Sequence, residues 1–178
     1  MATMLEVIFS IFIILLVLWI AISSIRGFVI GAPILYSPKR ATEEALKAVD
    51  AKPGERFVDL GMGNGRSLII AAKKFGLDVS GYEMSPIIFW LAKLNLFLHG
   101  IGKSRLFMKN FYKEDLSRND IIFCFLTPPA MKRLRDKFEK ELKKGTRVIS
   151  YGFRIDGWQE KEILNPGLPG KIFIYQKD

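Results

Sequence analysis

The chain has 178 residues, the size of one ordinary domain, and 49% of them are hydrophobic, which excludes wholesale disorder. It has one cysteine, Cys124, and one histidine, His99, so an internal disulfide and a Cys- or His-rich metal site are excluded and no metal ligands are expected. Basic residues outnumber acidic ones to give +9, which calls for an anionic partner or a solvated basic surface.

The hydrophobic excess is concentrated at the start. Val7 to Ile25 reads VIFSIFIILLVLWIAISSI, without a charge. As a helix this run spans roughly 28 Å, close to the hydrocarbon core of a bilayer. No basic region precedes it, which argues against a cleaved signal peptide. Residues 1–26 are therefore expected to form one transmembrane anchor. Arg26, Lys39 and Arg40 follow the span and only Glu6 precedes it, so the remainder is expected on the cytoplasmic (or organelle-interior) side. That remainder still carries +9.

Residues 27–56 read as a linker with breakers at Gly27, Gly31 and Pro33, then a short helix over Ala41–Val49 with Thr42 as its cap. Within them, residues 34–48 are the place to look for a lid. From residue 57 the chain alternates. Strands are expected at Phe57–Leu60, Asp78–Glu83, Arg105–Met108, Ile121–Leu126 and Thr146–Tyr151. Helices are expected up to Phe75, over Ser85–Leu98 and over Ala130–Leu142. Two strands, Trp158–Leu164 and Lys171–Gln176, close the chain. Such alternation predicts an α/β fold, with a mainly parallel sheet covered by helices on both faces. The closing pair predicts one antiparallel edge strand. Residues 57–178 have room for one domain.

The sharpest motif is Val58-Asp59-Leu60-Gly61-Met62-Gly63-Asn64-Gly65-Arg66. A strand runs into three alternating glycines, and a helix follows. Glycines allow a tight turn and close approach of a ligand, and the helix start offers unpaired N–H groups. The second strand ends in Glu83, an acid placed to hold ribose hydroxyls. A dinucleotide loop needs GxGxxG, but Arg66 occupies the last position. A P-loop is excluded because no GK[ST] follows. Asp59 suits a cofactor with a positively charged amino acid part.

With these residues the sequence resembles the class I S-adenosylmethionine (SAM)-dependent methyltransferases, with a Rossmann-like, seven-stranded sheet. VDLGMGNGR resembles their first motif and Gly81-Tyr82-Glu83 their second. The resemblance implies that Asp59, Gly61, Met62, Gly63, Asn64 and Gly65 line the methionine part of SAM. It also implies that Glu83 and Met84 flank the ribose and that Asn110 and Phe111 contact adenine. A closer resemblance covers nearly the whole chain. It is to the membrane-anchored lysine methyltransferases typified by those of the ATP synthase c-subunit and the adenine nucleotide translocase. The shared pieces are the apolar N-terminus, Tyr36-Ser37-Pro38, VDLGMGNGR, GYEMSP, NFYKEDL, FLTPP and GFRIDGWQ. The family carries Asp where Asn64 stands and Ala where Thr127 stands.

The resemblance implies a membrane-anchored protein-lysine N-methyltransferase acting on a membrane or membrane-associated protein. An activated methyl needs in-line placement of a neutral amine more than acid–base machinery. Tyr36, Thr127, Pro128 and Trp158 are the candidate acceptor-pocket residues, with Phe111 and Tyr112 as further aromatic walls. Glu114, Asp115 and Asp156 are candidates to steer a cationic amine. The rival readings are a lipid or quinone methyltransferase and a non-enzymatic binding module of the same fold. Nucleic acid is disfavoured: Thr127-Pro128-Pro129 partly resembles a DNA-base methyltransferase motif, but Ala130 replaces the aromatic that would stack on a flipped base.

Overall fold

The alternation of apolar runs and helices is realised as one seven-stranded sheet in the computed structural model, which describes residues 3–30 and 37–178 apart from Pro166 and Leu168. The strands are β1 (Arg56–Leu60), β2 (Asp78–Tyr82), β3 (Arg105–Phe107), β4 (Ile121–Cys124), β5 (Arg147–Tyr151), β6 (Glu162–Leu164) and β7 (Ile172–Gln176). The helices are α1 (Met4–Ile30), α2 (Lys39–Ala48), α3 (Arg66–Phe75), α4 (Pro86–Leu98) and α5 (Pro128–Glu141). Sheet order is β3-β2-β1-β4-β5-β7-β6. β1 to β5 pair in parallel, and β7 pairs antiparallel with both β5 and β6. The antiparallel strand thus lies in the edge ribbon, one place inside β6.

Side-chain alternation along β1 explains the two cores. Phe57 faces a layer with α2, α3 and α4, where Leu46, Leu68 and Leu96 are buried. Val58 and Leu60 face the other layer with α5, where Leu134 and Phe138 are buried. A strand buried on both faces reads as a continuous apolar run, as Ile121–Cys124 does. Chain order reverses between β1 and β4, so the crevice beyond their carboxyl ends is the place where such sheets bind ligands.

Several expected boundaries move. The fourth strand stops at Cys124, because Phe125 to Thr127 leave the sheet to enter α5, whose first turn takes Pro128 and Pro129. α2 starts at Lys39 after Pro38, so Thr42 is not its cap. Thr42 is instead buried inside the helix, and its hydroxyl has no hydrogen-bond partner among the described residues. Ala41, Ala45 and Leu46 seat α2 against the core, and Glu43 pairs with Lys74 of α3. Residues 34–36 of the segment considered as a lid lie outside the described residues.

α1 runs past Arg26 and Gly27 to Ile30, beyond the expected end of the anchor at residue 26. It opens with a capping box: the Thr3 amide donates to Glu6 and the Glu6 amide donates to the Thr3 hydroxyl. Side chains of α1 are described for Met4–Trp19 and for Ile22, and all of these are exposed. Among the described residues no helix is long and apolar enough to cross a membrane, so the expected transmembrane helix is not shown.

Cys124 is wholly buried, and burial pushes its thiol up to about 12. A thiol held protonated and covered is unreactive. Thiol-specific reagent at pH 8 is expected to leave Cys124 untouched in the native chain and to modify it stoichiometrically in urea. Rapid native modification, followed by mass spectrometry, would contradict this placement.

Candidate active site

β1 delivers the glycine loop to the carboxyl edge of the sheet. Gly61, Gly63 and Gly65 adopt φ of +96°, +53° and +76°, a region that side-chain-bearing residues avoid. The amides of Gly61 and Met62 both donate to the Tyr82 carbonyl, at 3.0 and 2.9 Å, and so tie the loop to β2. The Gly65 amide closes the turn onto the Met62 carbonyl at 2.8 Å. Asn64 joins two helices to the loop. Its side-chain oxygen accepts from the Arg66 amide at 3.3 Å, and its carbonyl accepts from Asn95 Nδ2 of α4 at 2.8 Å. Gly65 also meets a steric demand, because a Cβ there would overlap Leu96 Cδ1 of α4. The Met62 side chain is buried and packs on Gly81, where a Cβ would meet its sulfur at 2.6 Å.

Two carboxylates frame this loop. Asp59 is only 4% exposed and takes a hydrogen bond from the Ser67 hydroxyl. Burial raises its carboxyl to about 7, the Ser67 bond opposes that, and the nearby Glu83 charge adds to it. Glu83 is raised too, by burial, against amide hydrogen bonds from Ser85, Met84 and Gly63. The Ser85 amide lies 2.8 Å from Glu83 Oε1. Through the Gly63 amide, Glu83 belongs to the same cradle as Asp59. Two acids therefore stand beside the glycine loop, and burial disfavours the charged form of both.

The structure brings together Asp59, Gly61, Met62, Gly63, Asn64, Gly65, Glu83 and Met84. Asn110 and Phe111 stand beyond β3 on the same edge. Asn110 Oδ1 accepts from the Tyr112 amide and starts a 3-10 turn over Phe111–Lys113. Phe111 is buried, so its ring serves the core as well as the edge. The Tyr112 hydroxyl donates to the Ala130 carbonyl at 3.2 Å, which places this turn beside the start of α5 and beside Thr127 and Pro128. Glu114 pairs with Lys109, and the Asp115 carboxylate accepts from the Ser117 amide. Asp156 is exposed.

Trp158 does not belong to the acceptor pocket. Its indole donates to Glu139 at 2.6 Å, and its ring packs on Phe138 and Tyr175. Tyr175 pairs with Val148 and its neighbour Gln176 with Arg147, at the amino end of β5. Trp158 therefore stands toward the sheet edge opposite the glycine loop, and its aromatic surface seals α5 onto β7. Tyr36 lies outside the described residues.

Sequence reasoning missed Phe125 and Ser37 as lining residues. A small cavity beside the loop is bounded by Asp59, Gly61, Asn64, Ser37, Phe123 and Phe125. Phe125 packs edge-on against Tyr151, ring centroids 4.8 Å apart. A Cβ on Gly152 would press on the Phe125 ring at 3.1 Å, so that glycine makes room for it. The apolar run to Leu126 disguised Phe125 as one more strand residue. Only its place beyond the strand end turns it toward the crevice.

The donor set fits S-adenosylmethionine. The cofactor would offer its α-ammonium to Asp59 and its ribose hydroxyls to Glu83, which would accept from them. Comparisons with known proteins agree. A model of the ANTKMT methyltransferase domain matches residues 59–162. A protein-lysine N-methyltransferase of Saccharolobus islandicus is 32% identical over 78% of this chain and 87% of its own length. Adenine nucleotide translocase lysine N-methyltransferase of Mus musculus is 33% identical over 76% of this chain. The lysine N-methyltransferase of the ATP synthase c-subunit of Homo sapiens is 28% identical, also over 76%. The chain spans 59% and 58% of the length of these two mammalian relatives. A Salinibacter ruber RNA methyltransferase, solved with S-adenosyl-L-homocysteine, superposes with a TM-score of 0.76 over 80% of this chain and 93% of its own. At 24% identity that likeness shows the fold. The chain belongs to the ANTKMT methyltransferase domain family and is an S-adenosylmethionine-dependent methyltransferase.

Proposed function

We propose that the chain is a protein-lysine N-methyltransferase, held at a membrane by α1 and acting on a lysine of a membrane or membrane-associated protein. The observation that carries the lysine reading is that three relatives aligned over three quarters of this chain are named for lysine methylation. When bound, S-adenosylmethionine supplies a methyl group already activated by its sulfonium. The protein's part is to bind, orient and desolvate. Asp59 and Glu83 hold the cofactor's polar groups, and the Phe125 ring beside the loop excludes water from the approach. An amine in such a poorly solvating slot loses its proton more easily, as its nucleophilicity requires. Thr127 and Pro128 stand at the mouth, where the start of α5 meets the 3-10 turn.

The anchoring reading is supported by the uncharged sequence from Val7 to Ile25 and by the exposure of every described α1 side chain. The side chains beyond Trp19, Ile22 excepted, lie outside the described residues, although the apolar sequence continues through them. The basic flank of Arg26, Lys39 and Arg40 supports a methyltransferase domain on the cytoplasmic or organelle-interior side. Tethering raises the local concentration of acceptors in the same bilayer.

The test is methyl transfer from radiolabelled S-adenosylmethionine into isolated membranes, separated into protein and solvent-extractable fractions. Label is expected in protein, mapped to lysine by mass spectrometry, and absent with Gly63→Arg. Gly63 has φ +53° and an amide turned to Glu83, so a long cationic side chain there disrupts the cradle. Label confined to the extractable fraction would replace this reading with a lipid or quinone acceptor.

A further inference from the structure

We propose that α4 is a second membrane contact, lying lengthwise in the surface of an anionic bilayer; the inference rests on the membrane association proposed above. Apart from Lys93 and Asn95, α4 is built of apolar residues. Ile88, Phe89, Ala92 and Leu96 face the sheet and are buried. Ile87, Trp90, Leu91, Leu94, Phe97 and Leu98 are exposed, and their spacing puts them on one outward stripe. Trp90 is 58% exposed, Phe97 75% and Leu98 71%. A helix so largely apolar is ordinarily enclosed, and a contiguous exposed apolar face marks an interaction site. Adjoining it at the sheet edge, Met108 beyond β3 is also exposed.

Charge identifies the occupant. No Asp or Glu occurs between Glu83 and Glu114, while Lys93, Lys103, Arg105, Lys109 and Lys113 all do. Arg105 pairs with Asp78 and Lys109 with Glu114. Lys93 extends over the Trp90 ring, its Nζ 4.8 Å from the centroid. A tryptophan with a lysine above it, at the border of an apolar stripe, suits the headgroup level of a bilayer. Anionic lipid attracts such a basic border. A second copy of the chain would set like charges against like, and lysine is depleted from protein interface cores.

The placement bears on the chemistry. α4 starts just after Glu83, and its Asn95 and Leu96 hold the glycine loop through Asn64 and Gly65. A bilayer under α4 therefore brings the cofactor crevice to headgroup height, where lysines flanking a membrane segment reside.

The experiment uses the full chain carrying an environment-sensitive fluorophore on Leu94→Cys, with Lys140→Cys on α5 as reference. Burial of Cys124 keeps labelling selective. Each chain is mixed with phosphatidylcholine vesicles, with and without phosphatidylglycerol, and retained S-adenosylmethionine binding verifies its fold. Phe97→Cys serves if Leu94→Cys misfolds. In the anionic vesicles the α4 label is expected to shift to the blue and to be quenched severalfold by a lipid-borne quencher, while the α5 label does neither. A chain that sediments with vesicles while its α4 label stays water-like overturns the proposal and leaves the anchor standing. A shift that grows with protein per vesicle, irrespective of lipid charge, assigns the face to a second copy and overturns it. A chain that does not sediment at all overturns both readings.

Discussion

Affinity for S-adenosylmethionine is expected to rise roughly tenfold between pH 6 and pH 8 and then to level off. Asp59 keeps its proton to about 7 in the folded chain because burial disfavours the carboxylate. A cationic cofactor group needs that carboxylate ionised, so binding expels the proton below pH 7 and costs nothing above it. Asp59→Asn is expected to flatten the profile and to weaken binding by about 10- to 100-fold, the worth of a lost charged hydrogen bond. The stability of the free protein should move the other way. In the unfolded chain the carboxyl ionises near its ordinary value of 3.8. Between that value and about 7 the folded chain binds the extra proton, so this group's contribution to stability is full below 3.8 and is lost as pH rises through 7. Asp59→Asn should therefore unfold at a higher temperature than wild type at pH 8 while binding cofactor less well. Calorimetric titration at pH 6, 7 and 8, with thermal unfolding at pH 8, gives both readouts. Equal pH profiles for wild type and Asp59→Asn would remove Asp59 from the binding account, and Glu83→Gln would then be the variant to compare.

The second large effect is structural. Gly65→Ala is expected to lower stability by about 2–4 kcal/mol, from a left-handed backbone cost and from overpacking. Gly65 has φ +76°, and an added Cβ overlaps a Leu96 side chain that is only 1% exposed and has nowhere to swing. Against a typical total of about 5–15 kcal/mol this is severe. Leu96→Ala alone should also cost about 2–5 kcal/mol, as a buried truncation. The double variant should be more stable than the sum of the two by about 1 kcal/mol or more, because one change makes the space the other needs. Urea unfolding followed by tryptophan fluorescence reports it, because Trp158 packs on Phe138 and Tyr175 and loses that packing on unfolding. Strict additivity would leave only the backbone cost and no steric lock between loop and α4.

The fold was legible because its signals are local. Strand and helix periods alternate cleanly from Phe57, and three glycines at alternating positions need little context. The cofactor cradle was readable for the same reason: Asp59, Gly61 to Gly65 and Glu83 sit at strand ends, where direction is fixed. The acceptor side was less legible. Trp158 looked like a pocket wall because indoles suit cations, but its surroundings depend on β7, which arrives from later in the chain. Phe125 was hidden by an apolar run that outlasts its strand by two residues. Thr42 looked like a cap because it precedes acids, whereas Pro38 starts the helix earlier and leaves Thr42 inside.

The place of β7 between β5 and β6 has a consequence for synthesis on the ribosome. β1 to β5 can pair as soon as they emerge, in the order the chain supplies them. β6 has no partner until residues 172–176 follow, and Tyr175 among them is wholly buried, with its hydroxyl accepting the Ile155 amide. Until then the nascent domain carries an open edge on β5 and a strand without a ladder, the surfaces that recruit wrong partners. A stall or truncation within the final strand thus leaves a gap inside the sheet rather than a frayed rim. A lesion in β7 therefore strikes the interior of the sheet, since its residues Ile172 to Tyr175 are buried between β5 and β6.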